Sequence, residues 1–164
     1  MFSPPGEGRG YYTGDLGGIA GADDICQELF GRVGFPQWKA LLVGGGRIAS
    51  VSPFRGDGQV DWVIKHYTYY HAGNDDLVWR TDEVPLLGVR DGLRQNLLAE
   101  FLDEYPWGGW KTDWTIEQKD GKDATCEGWT SARFEDWGVF PVNDLSRGAF
   151  EPCSSPSALV CVEQ

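Results

Sequence analysis

Four cysteines, Cys26, Cys126, Cys153 and Cys161, constrain this 164-residue chain more than any other feature. None belongs to a Cys-x-x-Cys pair, which argues against a structural zinc site and against a thioredoxin-like redox motif. An even number without such spacing points to two disulfides, and disulfides place a protein outside the cytoplasm. Three pairings are open at this level. The competing picture is four reduced thiols packed as small hydrophobes in a cytosolic protein.

Charge narrows the partners. Lys and Arg number 14 against 25 Asp and Glu, a formal net charge of −11. Such a surface is repelled by phosphate backbones and anionic membranes, so nucleic acid is not expected. Acidity serves solubility first and cation binding second. No stretch reaches the roughly 20 apolar residues of a membrane span, and the first residues lack a basic flank followed by an apolar run. The expectation is an extracellular or cell-surface domain within a longer protein, exported by a signal that lies elsewhere. Length fits one domain, residues 11–164, behind an N-terminal extension of residues 1–10.

Periodicity predicts an α+β arrangement. Residues 21–30 place Ile25, Cys26, Leu29 and Phe30 on one helical face, with Asp23 or Asp24 as N-cap, so Cys26 points inward. Leu93, Leu97, Leu98, Phe101 and Leu102 predict a second helix between Gly92 and Asp103. Residues 38–43, 60–64 and 158–162 read as strands. From Tyr105 onward the chain is rich in Gly, Trp and Asp and predicts long loops, which a compact domain tolerates when they are functional and stapled.

Two segments carry a family resemblance. Residues 17–27, Gly-Gly-Ile-Ala-Gly-Ala-Asp-Asp-Ile-Cys-Gln, and residues 126–131, Cys-Glu-Gly-Trp-Thr-Ser, followed by Cys153 and the close at 159–164, resemble an uncharacterised domain of bacterial surface lipoproteins. More distantly they are similar to endostatin, the C-terminal domain of certain collagens. The resemblance extends from about Tyr12 to Gln164 and implies a C-type-lectin-like fold: two helices, short antiparallel strands, long loops and two nested disulfides. It implies the pairs Cys26 with Cys161 and Cys126 with Cys153. An inward Cys26 and a Cys161 near the chain end are compatible with that, since the ends of compact domains often lie together.

The resemblance also raises calcium, which sugar-binding C-type lectins hold through carboxylate and amide oxygens near a Trp-Asn-Asp motif. Here Val142-Asn143-Asp144 stands in that place with Val for Trp, and no Glu-Pro-Asn or Gln-Pro-Asp tripeptide precedes it. Asn143 and Asp144, with Glu127 and Asp113, form the candidate calcium set, calcium needing six to eight oxygens. His66 and His71 are a weaker metal pair, because an odd separation on a strand sends two side chains to opposite faces.

Aromatics are the richest feature, with eight Trp, six Tyr and eight Phe. Trp107, Trp110 and Trp114 lie in a glycine-punctuated stretch and are the expected ligand-binding loop, with Tyr67, Tyr69 and Tyr70 as a second cluster; such side chains anchor interfaces. Trp62 and Trp129 are expected in the core. Catalytic signatures are absent: no nucleophile elbow, P-loop, dinucleotide fingerprint or His-Glu-x-x-His occurs, and Glu135 with Asp136 is the kind of carboxylate pair an acidic chain produces by chance. The expectation is a non-enzymatic binding module, adhesin- or lectin-like, for a glycan or protein ligand. The alternatives are a tip domain of a fibrous, trimeric surface protein and a secreted hydrolase.

Overall fold

Residues 38–43, Trp-Lys-Ala-Leu-Leu-Val, are almost continuously apolar, the signature of a segment buried on both faces. In the computed structural model, which describes residues 2–3, 10–31, 36–71, 77–86, 106–141 and 148–164, this segment is central. Its first half is β2 (Trp38–Ala40), after β1 (Phe2–Ser3) near the N-terminus. Both pair antiparallel with the last strand, β9 (Cys161–Glu163), in the order β1-β9-β2, with Lys39 opposite Val162 and Ala40 opposite Cys161. The ladder runs on where Leu41 N donates to Val160 O at 2.8 Å.

Alternation along these strands feeds two cores. Trp38, Ala40, Leu42, Leu159 and Cys161 join Trp107, Trp129 and Phe140 on one side. Leu41, Val43, Val160 and Val162 join Val63, Ile64, Tyr70, Trp110 and Trp114 on the other. The first helix, α1 (Gly18–Phe30), covers the first side, with Ala22 and Cys26 fully buried. Ile25 and Phe30 pack at its margin, whereas Leu29, expected on the same face, is exposed.

The helix starts earlier than expected, after Gly17 in a left-handed conformation, and neither Asp23 nor Asp24 caps it. Asp23 lies inside α1 with a different task. Its carboxylate accepts Ala40 N at 2.9 Å and pairs with Arg47 at 2.7 Å. Arg47 is itself fully buried; it also binds Asp61 and donates to Ala40 O at 2.6 Å. Burial would lower its pKa, but the bonds to Asp23 and Asp61 outweigh that and raise it. This fork ties α1, β2 and the following loop together, and its planar donor set suits two carboxylates and a carbonyl at once.

The predicted strand at 60–64 is reduced to a single bridge, Ile48 with Val60, because Asp61 turns the chain at φ 47° to bring its carboxylate to Arg47 and Lys39. Two hairpins follow: β3 (Tyr69–His71) with β4 (Leu77–Arg80), and β5 (Gln118–Lys119) with β6 (Lys122–Asp123). After one helical turn, α2 (Cys126–Trp129), a longer pair forms from β7 (Trp137–Pro141) and β8 (Gly148–Pro152). The helix expected at 92–103 lies outside the described residues. Among the described residues no helix is long and apolar enough to cross a membrane.

The disulfides join Cys26 to Cys161 and Cys126 to Cys153, the nested pattern, and the fold is α+β. The first ties α1 to β9 across 135 residues, and the second ties α2 to the end of β8 across 27.

Non-reducing peptide mapping is expected to recover these two pairs. Replacing Cys26 and Cys161 together by Ala should cost about 3 to 5 kcal/mol in a denaturant melt, the range for long closed loops. A cost near zero would mean that the ladder holds β9 unaided.

A second expectation concerns acid. Burial pushes Asp61 up, but hydrogen bonds from Lys39 and Arg47 overcome it and hold its carboxyl low. Bonds from Ser52 backbone and hydroxyl hold Asp57 low in the same way. Groups with depressed folded pKa values contribute stability that is complete above the ordinary value of 3.8 and lost as pH falls through the folded values. Melting temperature should therefore drop on acidification below that value; a midpoint unchanged there would contradict these pairings.

Candidate functional site

Residues 119–122, Lys-Asp-Gly-Lys, form a two-residue hairpin in which Asp120 and Gly121 both have positive φ, 53° and 79°. That is the geometry an Asp-Gly pair favours between twisted strands. The hairpin is one wall of an open cleft of about 220 Å³. The second wall is α2, whose four residues all have positive φ, from 51° at Cys126 to 70° at Gly128. The third is the entry to β7, Glu135 to Trp137.

A left-handed turn costs non-glycine residues about 1 kcal/mol or more each. Here Trp129 N donates to Thr125 O at 2.7 Å, Thr130 N to Cys126 O at 3.0 Å, and Gly128 N to the Thr125 hydroxyl at 3.3 Å. The Trp129 indole is buried and donates to Val43 O at 2.7 Å, while Cys126 is held by Cys153. Behind the turn, Gly138 admits the close approach: a Cβ there would lie 2.5 Å from the Trp107 ring and 2.9 Å from Cys126 Sγ. The outcome is that Glu127 stands exposed at the cleft, 3.6 Å from Lys122.

Five carboxylates line the cleft, Asp120, Asp123, Glu127, Glu135 and Asp136, against the ammonium groups of Lys119 and Lys122. Asp136 is structural: the Ser131 hydroxyl and Arg133 donate to it, which lowers its pKa, the Ser131 bond first. Asp123 accepts from the Gln118 amide at 3.0 Å. Trp137 is half-buried, and the Lys119 ammonium lies over its ring, with the Phe150 ring centroid 5.2 Å away. The cleft therefore offers acceptor oxygens beside an aromatic wall.

The expected tryptophan loop lies elsewhere and is not a surface. Trp107, Trp110 and Trp114 are 0%, 4% and 2% exposed. Trp107 packs against Trp129 and Phe140, its Nε1 donating to Tyr12 O at 2.8 Å. Trp110 stacks on Trp114, centroids 5.1 Å apart, and Trp62 meets Trp114 edge-on. Gly109 is there for a backbone approach, since a Cβ would fall 2.9 Å from Val43 O, and not to loosen a binding loop. Trp129 is core as expected, and Trp62 packs against the second cluster while donating to Pro85 O.

Of the second aromatic cluster, Tyr67 and Tyr69 are 70% and 55% exposed, the latter beneath Arg80. Tyr70 is 2% exposed; its hydroxyl accepts Lys65 N, and burial raises its pKa. It is a core residue because alternation along β3 turns it from its neighbours. Asn143 and Asp144 lie outside the described residues, Glu127 lines the cleft, and the Asp113 carboxylate accepts from Thr115 N and hydroxyl within its own turn. His66 Nδ1 lies 2.8 Å from Glu83 O, and no metal-holding group of three His, Cys, Asp or Glu occurs among the described residues.

Lys119 and Trp137 were not among the residues expected from the sequence to bind ligand. The Asp-Gly hairpin was the available signal. Nothing local in Cys-Glu-Gly-Trp announces a left-handed turn.

The chain belongs to a family of proteins of unknown function, DUF1554, whose model matches residues 9–145. No curated protein matches it.

Truncating Trp107, Trp110 or Trp114 to Ala should cost about 3 to 5 kcal/mol of stability. Tyr67→Ala and Tyr69→Ala should stay within about 0.5 kcal/mol of the parent in the same melts. A tryptophan variant that folds as well as the parent would return that loop to the surface.

Proposed function

We propose that this member of the DUF1554 family is an extracytoplasmic recognition domain of C-type-lectin-like fold, a binding module and not a catalyst, whose ligand seats in the cleft between the β5–β6 hairpin, α2 and the start of β7. Two disulfides favour an oxidising compartment. The observation that carries the reading is the cleft's make-up, exposed carboxylates facing a half-buried Trp137 on elements stapled by Cys126–Cys153. Carboxylates accept short, charge-assisted hydrogen bonds from hydroxyls, and an indole face takes the C–H face of a sugar ring. A glycan, free or on a partner protein, supplies both. A rigid scaffold presenting a site from hairpin and turn is how binding residues are commonly held.

A glycan array probed with the domain, in calcium and in chelator, tests this. Binding to a defined glycan set is expected, with loss of about 2 kcal/mol or more in Trp137→Ala. Signal that survives Trp137→Ala unchanged would move the site away from the cleft, and silence on the array in both buffers would remove the glycan.

A further inference from the structure

We propose that the group this cleft is built to receive is an alkylammonium, and that Lys119 occupies its place as a stand-in which the ligand displaces; this rests on the recognition reading above and specifies its ligand chemistry. The Lys119 ammonium sits 2.8 Å from the Trp137 ring centroid and 5.2 Å from that of Phe150. These rings share one face of the β7–β8 pair: Trp137 is opposite Pro152, and Phe150 is two positions along the same strand. Cross-strand aromatics so placed form an open aromatic corner.

The choice made by Lys119 is informative. Asp120, Asp123, Glu127 and Glu135 line the same cleft, yet among the described residues its ammonium makes no ion pair with any of them. It rests on the π faces, whose quadrupole attracts a cation, and Trp does this best. The corner therefore already holds the chemistry of its ligand.

The tether is weak. Lys119 belongs to a two-residue strand whose turn, Asp120-Gly121, is exposed, and a Cβ at Gly121 would meet nothing within 4 Å. Swinging this side chain out disturbs no core residue. The other charges are largely matched: Lys122 with Glu127, and Arg133 with Asp136. Asp120 and Glu135 remain to face an incoming positive group, and once Lys119 leaves, the rim grows more negative and favours a cation further. An ammonium on a lysyl stem and one on an amino sugar share this chemistry.

The test is titration of the intact domain by ¹⁵N NMR, following the Trp137 indole resonance assigned through Trp137→Phe. The probes are N-acetyl-lysine methylamide and glucosamine, with N-acetyl-norleucine methylamide and N-acetylglucosamine as neutral counterparts. The charged probes are expected to shift the resonance and the neutral ones not. Lys119→Ala should tighten the charged probes about tenfold. Which charged probe binds tighter identifies the source. Asp120→Asn, a surface change that spares folding, should weaken both.

Neutral probes binding as well as charged ones, or weaker ammonium binding in a folded Lys119→Ala domain, would overturn the proposal. A Trp137-dependent glycan signal without ammonium binding would leave the recognition reading standing and sink this one. Ammonium binding with a silent array would keep this proposal and the cleft as a recognition site, and would remove only the glycan.

Discussion

Everything in this fold hangs on where the last strand is held. β9 lies between β1 and β2, contributes Cys161 to one core and Val162 to the other, and is bonded covalently to α1 through Cys26. A strand of three residues cannot secure itself by hydrogen bonds alone, because each contributes only about 1 kcal/mol net. The disulfide removes much of the entropy that the open chain would otherwise recover by releasing it. With β9 fixed, residues 38–41 acquire a partner, and the two faces of the 38–43 segment define two cores.

The Arg47 fork performs the same service between α1 and β2, with charge in place of a covalent bond. A buried guanidinium is costly unless its donors are met, and here two carboxylates and the Ala40 carbonyl meet them. This ties the register of α1 to that of the strand beneath it. It also accounts for the backbone of Asp61, which gives up strand geometry to supply its carboxylate.

The cleft is assembled on this frame by a locally unfavourable segment. Left-handed backbone at Cys126, Glu127 and Trp129 persists only where surroundings over-determine it, and the Cys153 bridge, the buried Trp129 indole and the Thr125 bonds do so. The turn so held presents Glu127 beside a hairpin whose lysine crosses to an aromatic corner. The same tryptophans that invite a reading as ligand anchors are what make the frame rigid.

Sequence alone determined the elements whose cause is local. Cysteine number and spacing set a disulfide framework, helical periodicity placed α1 and turned Cys26 inward, and the apolar run at 38–43 declared a buried segment, of which only 38–40 is strand. The three possible pairings, by contrast, differ only in which distant segments meet, and tertiary structure alone decided among them. It also decided the fate of aromatic and charged residues. Trp107, Trp110 and Trp114 carry no local mark distinguishing a core indole from an exposed one, since the same side chain is apolar enough for either and its N–H can be met by a carbonyl from anywhere in the chain. Asp23 looked like a helix cap until Arg47, far along the chain, came within reach of it. Lys119 became notable only when β7 and β8 brought Trp137 and Phe150 to the same face beneath it, a juxtaposition of segments that no window of sequence contains.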